Sequence, residues 1–501
     1  MSIFIRFIIV SVVLIANGCA SSSFVKAKSG EYMSPDGSSS GVITEEPYQV
    51  AIDGLTDNRP LEAIAKPGVV FSADGRRWAY LAIRESKVVL VVDGKEYGTY
   101  DNYIPGSLAF DNIHSRLGFL GKRGEKWMVV IDGQESPAYD NVTLSSPRFS
   151  PDGSRYAYVA KRDDHWIIVV DGKEGAAYAN LGSNSPVFSP DGSRIAYAAK
   201  RDDKWMIVVD GQESAAYDNV GSNSPIFSPD SSRIAYAAKS DGKWMIVVDG
   251  QESPAYDDVG SRSPVFSPDS SRVAYAAKRE DKWLTVIDSQ ESLAHDNILG
   301  PVFLANNDFV YACKTDDVWS LRRNGSTIGR EYEWIRTPGI IVSPDHKRIG
   351  YIGHVDDHEE AVIDDLYGKP YEKIGFVLEK GGATAGDYGL AFGKSLLVSL
   401  LTAPLGYTVA YSPSNKKTYL YEGGVQFSPD SEHYNYLAQD EDGNRIIIID
   451  GVESQQLPED KEIVSMRFST HSDKVYVKVE DQEDNRIEII EVPVKLKVAE
   501  Y

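Results

Sequence analysis

The stretch FSPDGSRIAYAAKRDDKWMIVVDGQESAAYDN, residues 188–219, decides the fold. Ser189-Pro190-Asp191-Gly192 reads as a turn, with proline fixing φ and glycine permitting a positive one. Asp210-Gly211 lies between two apolar runs, the signal of a two-residue type I′ hairpin. Four short strands follow from these breaks: 185–189, 194–200, 204–209 and 212–219. Ile195-Ala196-Tyr197-Ala198-Ala199 and Met206-Ile207-Val208-Val209 are apolar at both alternating positions. An antiparallel sheet with one wet face would alternate with polar residues. Each small sheet is therefore expected to pack between two others, as the blades of a β-propeller do.

The unit is repeated. Phe71, Phe110, Phe149, Phe188, Phe227 and Phe266 stand 39 residues apart. Phe303, Val342, Phe427 and Phe468 continue the series less regularly, and the 85-residue gap between Val342 and Phe427 has room for a worn unit plus an insertion. Asp-Gly pairs recur at 93, 132, 171, 249 and 450. The chain is thus read as all-β, ten or eleven four-stranded antiparallel blades. Regular repeats fill 47–300; divergent ones fill 301–501, with an insertion at about 376–420.

The string FSPDGSRIAYAA resembles the WD-like repeat of TolB-type propellers, found also in the propellers of prolyl-oligopeptidase-like enzymes. The resemblance covers about 46–501 and implies blade type; it implies little about ligand, since propellers host many functions. The α/β domain that precedes the TolB propeller has no counterpart in the segment before residue 46, so the partner role of that family is not carried over. Single propellers usually hold four to eight blades. Two rings dividing near Leu299–Asn306, where the period slips to 37, are the expectation. One large ring is the alternative, with Val50–Ile64 as a half-blade completing the last blade.

The beginning of the chain reads differently. Arg6 precedes an apolar run from Phe7 to Ala16, too short for a membrane span and of signal-peptide form. Ile15-Ala16-Asn17-Gly18-Cys19 resembles the lipobox of bacterial lipoproteins. That resemblance implies cleavage after residue 18, lipidation of Cys19 and anchoring through acyl chains. Ala20 rather than aspartate follows, which in a Gram-negative host implies the outer membrane. The Ser- and Gly-rich segment 19–46 is expected to be a flexible tether. Cys313, the second of only two cysteines, is then expected as a buried free thiol.

Composition excludes some functions. A net charge of −22 argues against nucleic acid and against adhesion of the folded part to anionic lipid. There is no Gly-x-Ser-x-Gly elbow and no His-Glu-x-x-His. Gly389–Ser395 has three residues between its glycines where a phosphate loop needs four, and is rejected as one. Leu396–Leu401 is expected as a short helix packed on the propeller. His354-Val-Asp-Asp-His358 aligns with the hairpin tip Lys200–Lys204, so a solvated loop is expected over a metal site.

Two recurrent patterns are candidate binding residues. Trp127, Trp166, Trp205, Trp244 and Trp283, with Trp319, open the third strand of each unit. Packing between blades is expected of them, and a ring of aromatic faces for sugars or peptides is the alternative. Tyr-Asp-Asn ends the fourth strand, placing Asp140, Asp218 and Asn219 where they cap turns or, alternatively, line one face and bind a cation. No cofactor or metal is called for by the sequence. The function expected is a lipid-anchored envelope scaffold for a protein or small ligand, with an envelope enzyme or sensor acting on glycans or peptides as the alternative.

Overall fold

The structure, a computed structural model, describes residues 30–494 apart from 35–37, 45–48, 58, 60, 112–114, 144–146, 183, 337–338, 375, 381–407, 413–416, 423, 458–460, 470–471 and 482–486. Every regular element among the described residues is a β-strand. Cys19, Gly389–Ser395 and Leu396–Leu401 lie outside the described residues.

The unit at 188 shows how the sequence makes a blade. Its first strand comes in two pieces, Asn180–Leu181 and Val187–Phe188, both paired with Ile195–Arg201. Lys204–Val209 and Gln212–Glu213 complete the antiparallel sheet. Asp210 and Gly211 have φ of 50° and 84°, the left-handed pair that a type I′ turn demands. In the Ser-Pro-Asp-Gly turn, buried Ser189 donates to Asp191 (2.6 Å) and accepts from the Arg194 amide (2.9 Å). The fourth strand, expected to run through residue 219, stops at Glu213. There the Ser214 hydroxyl accepts the Ile207 amide (3.0 Å), taking the place of a backbone carbonyl. The chain returns to the sheet only in the Trp205–Tyr217 bridge, and Asn219–Val220 already opens the next blade.

Eleven repeat units, called blades, are seen among the described residues, the first and last joined in one seven-stranded sheet. Blade 1 comprises Gly30–Met33, Ser40–Thr44, Gln49–Ile52 and Leu55–Asp57. Blade 2 runs from Ala63–Phe71 to Lys95–Tyr100, and blades 3 to 7 carry the pattern on to Gln290–Glu291. Blade 8 spans Asn297–Phe303 to Ser326–Tyr332 and blade 9 Trp334–Ile335 to Leu366–Tyr367. Blade 10 starts at Lys373–Ile374, resumes at Gln426–Phe427 and ends with Val452–Gln456. Blade 11 has Lys461–Phe468, Lys474–Asp481 and Ile487–Pro493. The insertion inside blade 10 forms its own three-stranded sheet, with Lys417–Glu422 between Phe376–Lys380 and Thr408–Ser412.

Packing follows from the two apolar faces. Ala196, Ala199, Ile207 and Val208 are fully buried although they point to opposite sides of one thin sheet. On one side Ala196, Ala198, Trp205, Ile207 and Tyr217 of blade 5 meet Ile234, Tyr236, Ala238, Met245 and Val247 of blade 6. The same kind of contact continues across the slipped period, where Ala274 and Ile287 of blade 7 pack on Phe303 of blade 8. Blades 7 and 8 thus stay in apolar contact across Leu299–Asn306.

The N-terminal region corrects one expectation and bears on another. From residue 30 the segment read as a tether is folded: Tyr32, Ile43, Val50 and Ile52 pack on Ile64, Phe71 and Tyr80 of blade 2. Of the stretch Val50–Ile64, the strands Gln49–Ile52 and Leu55–Asp57 share one seven-stranded sheet with the last three strands of the chain, joined through the parallel pair of Gly30 with Ile487, while Ile64 lies in blade 2. The cause is a repeat marker hidden in the Ser-rich segment, Ser34-Pro35-Asp36-Gly37, whose buried Ser34 accepts the Ser39 amide (3.0 Å) as Ser72 accepts that of Arg77.

Candidate functional site

Most of the repeated polar residues hold blades together. Arg194 donates to Asp210 of its own hairpin (2.9 Å) and to the carbonyls of Ser231 and Ser232 in the next blade, with its guanidinium over the Phe227 ring. Tyr178, ending blade 4, donates to Glu213 of blade 5 (3.0 Å), which also accepts from Arg201. Burial pushes such tyrosines well up, as at Tyr178, Tyr217 and Tyr256, so they are neutral donors. The arginine holds Glu213 and Glu291 below the usual carboxylate range.

Asp140 and Asp218 belong to a third such latch. Asp218 accepts from Lys204 (2.5 Å) and from the Asp241 amide at the hairpin tip of the next blade (2.9 Å). Asp140 does the same with Lys126 (2.5 Å) and the Asp163 amide (3.0 Å). The lysine, then the amide, lowers both carboxyl groups from their ordinary value. Asn219 is exposed, and its side-chain oxygen caps the Val220 amide (2.9 Å).

The tryptophans sit beside this latch, each opposite a lysine of the second strand. Trp127, Trp166, Trp205, Trp244 and Trp283 each pack on the apolar cluster of one joint. Trp205 is 8% exposed and the other four are half-buried. Lys122, Lys161 and Lys239 lie over their indoles at 5.8, 5.9 and 5.5 Å, within cation–π range. At those three positions a lysine covers one indole face.

Trp205 borders a cleft of about 290 Å³ between blades 5 and 6. Asn180, Asn184 and Trp205 line one side, and Asn219, Gly221 and Ser222 the other. It opens beside the split first strand, where Gly-Ser-Asn-Ser-Pro recurs at 182–186 and 221–225. Asn184 donates to the Ser222 carbonyl (2.6 Å) and Asn223 to that of Ser261 (2.5 Å), chaining one loop to the next. Gly182 is required there, because a Cβ would come 2.9 Å from that of Ala198. Sequence reading passed over these asparagines, although their exact recurrence at both positions was the available signal.

Blade 9 breaks the pattern at the same place. Trp334 occupies the position of Asn219, His354 that of Lys239 and Glu359 that of Trp244. His354 stacks on Trp334 at 4.6 Å, while buried Glu359 pairs with Arg336 and accepts the Ile374 amide (2.6 Å). His358 instead turns its ring to the Asp356 carbonyl (2.9 Å). Among the described residues no group of three His, Cys, Asp or Glu is placed to hold a metal ion. Cys313 is buried and free.

No family description matches the chain, and no curated protein does. Solved structures do. The propeller of Dos1 matches at 11% identity and a TM-score of 0.31, covering 69% of this chain and 90% of that one. The β-propeller domain of the Trilobed protease from Pyrococcus furiosus matches at 15% identity and 0.28, covering 71% and 96%. A eukaryotic initiation factor matches at 12% identity and 0.40, covering 75% and 96%. These likenesses concern the fold alone. The repeated antiparallel sheets define the class: the chain is a β-propeller repeat protein.

Proposed function

We propose that the chain is a lipid-anchored envelope protein that uses its propeller as a binding scaffold. The partner docks along the edge where first-strand loops and hairpin tips meet. The observation that carries this reading is the cleft between blades 5 and 6. Its amides, hydroxyls and indole edge are uncharged groups able to orient a peptide or glycan by hydrogen bonds while a flat ring excludes water. The loops that form it recur in consecutive blades, so neighbouring joints offer related contacts at a fixed spacing. An extended partner gains affinity from such repetition without any single strong site.

The anchor rests on Cys19 and its flanks. Cys19→Ala is expected to abolish labelling by a clickable fatty acid, and continued labelling would refute the anchor. For the scaffold, in-cell crosslinking of the full chain should recover an envelope partner. Asn184→Ala with Asn223→Ala should weaken its binding while leaving the melting profile close to wild type. Unchanged affinity in that double variant would refute the cleft as the docking edge.

A further inference from the structure

The joint between blades 7 and 8 is built unlike its neighbours. At the joint of blades 6 and 7 a single apolar cluster holds Ile246 and Tyr256 against Tyr275, Ala277, Leu284 and Val286. Strand register places Thr285 and His295 against Tyr311, Cys313, Ser320 and Arg322 at the corresponding positions of the next joint. Thr285 is 1% exposed, His295 4% and Cys313 0%, so this polarity is buried.

Three atoms there are buried without a hydrogen-bond partner among the described residues: Thr285 Oγ1, His295 Nε2 and Arg322 Nε. The other ring nitrogen of His295 faces the Thr315 hydroxyl at 3.0 Å, and Arg322 spends one Nη1 bond on the Gly325 carbonyl (3.2 Å). The carboxylate that closes other joints is missing as well: Glu291 of blade 7 corresponds by register to Thr327 in blade 8. Burial, and then the charge of Arg322, hold the imidazole below its ordinary pKa, so the ring is neutral with one N–H to give.

Buried donors left unmade carry the full desolvation cost of the group. Water would satisfy them but leave the guanidinium charge unbalanced, and a cation is repelled by it. We propose that this joint is a binding site for a small monovalent anion of chloride size, held by Thr285 Oγ1–H, His295 Nε2–H and Arg322 Nε–H between blades 7 and 8. The site is independent of the docking edge proposed above.

The test uses bromide as the probe on the full folded chain. Crystals grown in bromide should show an anomalous peak at the three donors. The melting temperature should rise with halide concentration relative to gluconate at equal ionic strength. Thr285→Ile, His295→Tyr and Arg322→Val together give the three donor positions the residues found at the joint of blades 6 and 7, and should erase the halide dependence. Arg322→Gln, which keeps a donor but removes the charge, should erase it too. No anomalous peak between the two blades, together with equal melting in halide and gluconate, would overturn the assignment and leave only bound water.

Discussion

At the position where regular blades carry Ala199 or Ala238 on the second strand, blade 9 has Gly353. The Tyr332 ring of blade 8 fills the space: a Cβ on Gly353 would lie 2.8 Å from Cζ and closer still to Cδ1 and Cε1. The ring has little freedom to retreat. It is 2% exposed, its hydroxyl bonds Tyr351 (3.3 Å) and Glu360 (3.1 Å), and Arg330 covers it. Gly353→Ala should therefore overpack the joint at about 1–3 kcal/mol. Breaking the Tyr332 hydroxyl contacts would add about 1 kcal/mol. Against this, Gly353 has no positive φ, so alanine recovers about 0.4–1 kcal/mol through the unfolded chain. The net expectation is a loss of about 1–3 kcal/mol. Local opening should report it best, since blades respond mainly to their neighbours. Native-state hydrogen exchange should accelerate in both 326–332 and 349–355, the strands facing across the joint. In a Tyr332→Ala background the same Gly353→Ala change should lose its cost, because the obstructing ring is gone. A Gly353→Ala variant as protected as wild type, or an unchanged cost without the ring, would refute the close-approach argument.

Other joints give further expectations. Ile207→Ala removes a fully buried side chain between blades 5 and 6 and should cost about 2–5 kcal/mol, read as a lower denaturation midpoint. Blade 6 has Ser240 where its neighbours have Arg201 and Arg279, so Glu252 lacks the arginine that Glu213 and Glu291 enjoy. Ser240→Arg should slow hydrogen exchange at the joint of blades 5 and 6, and the gain should vanish in a Glu252→Gln background. Asp230 is held at about 2, from 3.8, by the Ser228 hydroxyl and then by the amide and hydroxyl of Ser232. A depressed folded pKa stabilises above the unfolded value and is lost as pH falls through the folded one. Asp230→Asn should thus lower the melting temperature at neutral pH, with the difference from wild type closing between pH 3.8 and about 2.

The legible parts of the fold were those encoded within a few residues. The Ser-Pro-Asp-Gly and Asp-Gly turns act through φ at residues such as Gly192 and Asp210, so the sequence alone places them. Stacking of blades was readable because strands 195–201 and 204–209 are apolar on both faces. The break after Glu213 was not, since it depends on one hydroxyl replacing a carbonyl in the ladder. Blade 1 was obscured because its marker lies among serines of linker-like composition. The packing of the tryptophans was foreseeable from their size and fixed position. The work of Asp218 was hidden for a different reason: its partners stand 14 and 23 residues away, one of them in another blade.

Those latches also decide where the net charge of −22 is felt. Within a regular unit Asp191 is held by its serines, Asp210 by Arg194, Glu213 by Arg201 and Asp218 by Lys204. Both aspartates of the hairpin tip, Asp202 and Asp203, face solvent. Asp164, Asp203, Asp281 and Asp317 are 97, 98, 99 and 95% exposed, each partly balanced by a lysine three residues back. These tips flank the same edge as the asparagine loops, because Asp218, which leads into the loop at 221–225, bonds the hairpin tip at Asp241. A partner docking there meets uncharged groups in the clefts and a row of carboxylates outside them. Such an arrangement steers basic partners and sets their association rate more than their final affinity. The on-rate of the scaffold's partner should therefore fall as salt rises, and Asp164→Asn with Asp203→Asn should flatten that dependence while the off-rate stays close to wild type. An off-rate effect with an unchanged on-rate would instead place the tips inside the contact.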